Sequence, residues 1–110
     1  MLESALWLVK FTSEIGGYGS GVISFRNGHV YGGDSFYYYF GGYSLNEGNT
    51  VTATVNVKQH TSGLSIFGPI NQFTLDLKGS IQQTNAILIG FIKEKPDMKI
   101  TAILQKLRDI

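Results

Sequence analysis

Apolar and polar residues alternate along most of this 110-residue chain with the period of two that belongs to β-strands. Cut at its turn-forming residues, the pattern predicts eight strands: about Ala5–Thr12, Gly19–Arg26, His29–Gly33, Tyr37–Leu45, Thr50–Lys58, Gln72–Ser80, Asn85–Lys93 and Lys99–Leu107. Phe73, Leu75 and Leu77 alternate with Thr74, Asp76 and Lys78, the signature of a strand buried on one face. Two strands break this rule. Between Gly32 and Tyr43 six aromatics crowd one segment, so Tyr37, Tyr39 and Tyr43 share one face while Tyr38 and Phe40 take the other. The seventh strand likewise carries Ala86, Leu88 and Ile92 on one side and Ile87, Ile89 and Phe91 on its reverse. A surface greasy on both sides needs a second cover, which nominates Tyr38, Phe40, Ile87, Ile89 and Phe91 as subunit-contact residues.

Turn chemistry sets the pairing. Asn27-Gly28 favours a two-residue type I′ hairpin, which places Phe25 opposite Val30 and Ile23 opposite Gly32. Asn46-Glu47-Gly48 reads as a three-residue loop with Gly48 in the left-handed position, which sets Tyr43 against Val51, Gly41 against Ala53 and Tyr39 against Val55. Gln82 to Asn85 joins the sixth and seventh strands. The carboxyl end is open to two readings, because Ile100, Ile103, Leu104 and Leu107 also suit a helix. A strand is preferred, since it can pair with the first strand and close the sheet. His60 to Ile70 is left as a long loop.

Composition agrees with one all-β domain over residues 1–110: 14 glycines, 2 prolines and many β-branched residues. A formal charge of +1 and the absence of a dense basic stripe argue against direct nucleic-acid binding. With no cysteine, disulfides, thiolate metal sites and cysteine nucleophiles are excluded. Leu6-Trp7-Leu8-Val9 is too short for an export core and no apolar run would span a bilayer, so a cytoplasmic protein without a membrane partner is expected.

The candidate chemistry is thin. The glycine-rich run from Gly16 to Gly21 leads into a strand, whereas a phosphate-cradling loop leads into a helix. Asp34 suits a turn, and His29 and His60 are too few to hold a metal. An enzyme would require Asp34, His60 and a serine to converge, which no motif demands; neither a catalytic residue nor a cofactor is expected. The inner-face residues Tyr37, Tyr39, Tyr43, Val55 and Leu75 either fill the interior or line a cavity for a small apolar ligand.

Leu6-Trp7-Leu8-Val9-Lys10-Phe11, Gly21-Val22-Ile23 with Asn27-Gly28, and Gly32-Gly33-Asp34-Ser35 with Tyr37, Tyr39, Gly41 and Tyr43 form an ordered series of segments. Val55-Asn56-Val57-Lys58 with His60, Ile66-Phe67-Gly68, Phe73-Thr74-Leu75 and Leu77-Lys78-Gly79 complete it. Together they resemble the GrlR-like family, negative regulators associated with bacterial type III secretion. The resemblance implies an eight-stranded antiparallel up-and-down barrel of lipocalin/calycin-like architecture. It also implies a homodimer that acts by binding a partner protein, typically a transcriptional activator. Members carry an acidic run in the turn after the aromatic strand; the matching positions here are Asn46, Glu47 and Asn49, with one acid among them. The alternative is a barrel that carries or senses a small apolar ligand.

Overall fold

A computed structural model describes residues 4–13, 18–62 and 72–110. They form a closed antiparallel up-and-down barrel of lipocalin/calycin-like architecture, each strand pairing with its neighbours in chain order. The strands are β1 (Ala5–Ser13), β2 (Tyr18–Arg26), β3 (His29–Gly33), β4 (Tyr37–Asn46), β5 (Thr50–Gln59), β6 (Gln72–Ile81), β7 (Asn85–Ile92) and β8 (Lys95–Asp109). The last strand pairs with the first along nearly its whole length, Thr12 facing Thr101 and Leu8 facing Gln105. That settles the carboxyl end as strand: a helix there would leave β1 and β7 with unpaired edges. The expected segments from Glu14 to Gly17 and from Gly63 to Asn71 lie outside the described residues.

Alternation does the sorting. In β5, Val51, Ala53, Val55 and Val57 are buried while Thr52, Thr54 and Lys58 face out. Tyr37, Tyr39 and Tyr43 point inward from β4, and Ala86, Leu88 and Ile92 from β7. The interior is packed with edge-to-face ring pairs, a geometry that suits the aromatic quadrupole: Trp7 on Phe25 at 6.5 Å, Phe25 on Tyr43 at 5.1 Å and Phe11 on Tyr39 at 5.7 Å.

The β2–β3 hairpin has the expected register, Phe25 facing Val30 and Ile23 facing Gly32. Asn27 and Gly28 hold φ of 52° and 80°, the pair of positive values that a type I′ turn requires. The β4–β5 register differs from expectation by two residues. Tyr43 faces Ala53, Gly41 faces Val55 and Tyr39 faces Val57. The loop still has three residues, but it is Glu47-Gly48-Asn49, because Asn49 joins Gly48 in the left-handed region at φ 59°. Asn tolerates that conformation, so the turn shifts one place along the chain. A shift of two leaves every side chain on its expected face.

The β7–β8 hairpin turns at Lys93-Glu94, so β8 begins at Lys95, four residues before its expected start at Lys99. Ile92 pairs with Lys95 while Phe91 pairs with Lys99, so Pro96, Asp97 and Met98 form an irregularity in β8. Pro96 has no N–H to give a ladder and belongs at such a bulge.

Closing eight strands around so small a core requires sharp bends, and inward-facing glycines supply them. Gly79 on β6 and Gly90 on β7 sit so close to the neighbouring strand that a Cβ would run into the carbonyl oxygens of Ile87 and Asp76. Gly41 is likewise pressed onto the Thr54 backbone, which leaves no room for a side chain there. Gly90→Ala is therefore expected to cost about 3 kcal/mol or more, as overpacking against backbone that cannot yield. Gly48→Ala, with nothing within 4 Å of a Cβ, should cost only about 1–2 kcal/mol for its left-handed backbone. Urea denaturation of the two variants checks the contrast.

Candidate functional site

Closure leaves little free strand edge, so contact with another molecule falls to the interior, the ends or the outer face. Among the described residues the interior is closely packed, and the apolar pocket within it holds about 30 Å³, edged by residues including Tyr39, Val55 and Leu75. Small-molecule sites run to about 300–1,000 Å³, an order of magnitude more. Tyr37 and Tyr43 are buried as expected but do not border that space.

One barrel end is organised by Asp34. Its Oδ1 accepts the backbone N–H groups of Phe36 and Tyr37 at 2.9 and 2.8 Å, closing the β3–β4 turn. Its Oδ2 accepts the hydroxyl of Tyr39, whose ring lies in the core. The Tyr39 hydroxyl, carried on a buried ring, thus finds its partner in this carboxylate. Burial of its ring, and then the bond to Asp34, push the Tyr39 phenol well above its ordinary value. The end of β5 braces the same turn: the His60 N–H donates to the Phe36 carbonyl at 2.8 Å. His60 Nε2 lies 3.0 Å from the Asp34 carbonyl oxygen. A carbonyl only accepts, so Nε2 carries the proton, and in the neutral ring Nδ1 accepts the Thr61 hydroxyl at 2.7 Å. His60 thus meets Asp34 through its backbone, whereas a triad would use the carboxylate. Among the described residues no three His, Asp or Glu side chains gather to hold a metal ion.

The outer face carries the more distinctive arrangement. On β3 and β4, Tyr38 stacks on Phe40 at 5.8 Å, Phe40 pairs across strands with Tyr31, and Tyr31 stacks on His29 at 6.0 Å. Tyr31 is 57% exposed, and sequence reading missed its membership because its strand looked ordinary. On β7 and β8, Ile87, Ile89 and Phe91 stand in a row, and Ile103 faces Ile87. Ile89 is 57% exposed and Ile87 51%. In the closed order the strands β5 and β6 part the two groups on one side, with outward Thr52, Thr54, Asp76 and Lys78. The two alternative contact sets, Tyr38 with Phe40 and Ile87 with Ile89 and Phe91, therefore stand on different flanks of the barrel.

An open groove of about 730 Å³ runs between these flanks over β4–β7. Gly42, Thr52 and Thr54 floor it, and Ile89 and Phe91 wall it. It is continued by a concavity from Asn46 and Thr50 to Ser80, Ile87 and Ile89. The turn of Asn46, Glu47 and Asn49, which the resemblance matches to the family's acidic turn, is exposed at that end. No helix among the described residues is long and apolar enough to cross a membrane.

Compared with known protein families and with curated proteins, the chain matches none. Its own residues must carry the functional argument.

Two outcomes follow from the Asp34 cluster. Asp34→Ala strands two N–H groups and a phenol, and should cost about 2–3 kcal/mol in denaturant titration, against about 1 kcal/mol for Tyr39→Phe. Because the folded-state phenol is held above its unfolded value, its stabilising contribution is complete below about pH 10 and lost above it. The denaturation midpoint should fall between about pH 10 and 11.5 more steeply in the unmodified chain than in Tyr39→Phe.

Proposed function

We propose that this chain is a regulatory binding module without chemistry of its own: a homodimer of barrels that restrains a partner protein in the bacterial cytoplasm. In the GrlR-like family it resembles, that partner is a transcriptional activator of type III secretion genes, and the effect is repression. The reading is supported above all by a filled interior combined with two separate exposed apolar flanks. Apolar patches of this kind are characteristic of surfaces that meet other macromolecules.

Two flanks matter because of symmetry. A two-fold contact uses the same patch on both subunits, so it covers one flank of each barrel and leaves the other open. The β3–β4 flank suits the second copy. Its centre is the stacked Tyr38 and Phe40 with Tyr31 across, and interface cores favour aromatics and exclude lysine. Lys58 and Arg26 stand at its margin, opposite Tyr38 and His29.

Size-exclusion chromatography with light scattering should give the mass of two chains for the unmodified protein and of one for Phe40→Asp, which would bury an unpaired charge at the contact. A single-chain mass for the unmodified protein at about 100 µM overturns the homodimer, since association would then be too weak to matter.

A further inference from the structure

The groove over β4–β7 has a chemistry of its own. Ile87, Ile89 and Phe91 form an apolar wall about 13 Å long, four residues at strand rise. A lysine stands on each side of that wall: Lys78 on β6 opposite Ile89, inside the groove, and Lys99 on β8 opposite Phe91. Both are exposed, and neither takes part in an ion pair among the described residues. The acid beside them, Asp76 opposite Phe91, accepts the Thr54 hydroxyl at 3.2 Å. An apolar wall flanked by free cations is the complement of an apolar stripe flanked by carboxylates.

We propose that this groove holds an amphipathic helical segment of a partner protein, its apolar side chains on Ile87, Ile89 and Phe91 and its Asp and Glu residues on Lys78 and Lys99. The proposal rests on the regulatory reading above and names the chemistry of the partner. Nine residues of helix match the 13 Å wall, about two and a half turns. A second copy fits poorly, because its own lysines would be brought against these across the two-fold, and like charges in contact suppress association. An anionic bilayer fits poorly too, because a broad surface cannot enter a concave groove.

Fluorescence anisotropy with two labelled peptides of about 18 residues tests this. Both carry the same leucine stripe; one is flanked by Glu and the other by Lys. The Glu peptide should bind the full chain about tenfold more tightly at low salt, with the gap closing near 0.5 M salt as the charges are screened. Lys78→Glu combined with Lys99→Glu should invert the preference. Ile89→Asp should abolish binding of both peptides while keeping the unmodified chain's circular dichroism spectrum and light-scattering mass. Equal binding of the two peptides, binding of neither, or tighter binding to phosphatidylglycerol vesicles than to the Glu peptide overturns the proposal. So does Ile89→Asp that halves the mass, which would assign this flank to the second copy. A failure of Phe40→Asp to alter the mass bears on the dimer alone, so the two readings fall separately.

Discussion

Pairing of β1 with β8 is the constraint on which the rest of this molecule depends. Among the described residues each strand has a hydrogen-bonded neighbour on both sides, so the ring itself offers little backbone edge for recognition by strand addition. Closure at eight strands also fixes a narrow interior. Trp7, Phe11, Phe25, Tyr39 and Tyr43 occupy it. What remains for contact with other molecules is side-chain chemistry on a curved outer wall.

That wall is divided unevenly. Its aromatic flank and its aliphatic, lysine-bordered flank are products of the same device, a strand whose alternate positions are apolar on both faces. Such strands sacrifice solubility for contact. The polar outward row of Thr52, Thr54 and Asn56 keeps the two apart, so each flank can be occupied without the other.

Much of the fold was legible in the residues because β-structure is written in alternation and turns. Asn27-Gly28 determined a register to the residue, since a two-residue turn leaves the chain no slack. The β4–β5 register was misread by two because the loop had two consecutive candidates for the left-handed position, Gly48 and Asn49, and the hydrophobic pattern is blind to an even shift. Pro96 marked a bulge that strand periodicity could not announce, and β8 was begun too late. The outward rows on β4 and β7 were legible as two sets, but not their standing on different flanks, which depends on ring closure. The Asp34–Tyr39 bond was hidden for another reason: a turn residue and a core ring meet only where the sheet curls over its end. The groove over β4–β7 is a matter of sheet curvature, which no local spacing encodes.

Hairpins join neighbours in sequence throughout this barrel, with one exception. Seven pairings draw on strands adjacent in sequence, and the eighth joins the first strand to the last. Loop entropy makes the early pairings the quick ones and the last the slow one. The ring can close only once Ile100 to Asp109, the part of β8 that pairs with β1, has left the ribosome. Truncation near the carboxyl end would leave the sheet unable to complete its ring, and its two margins free to find those of other chains.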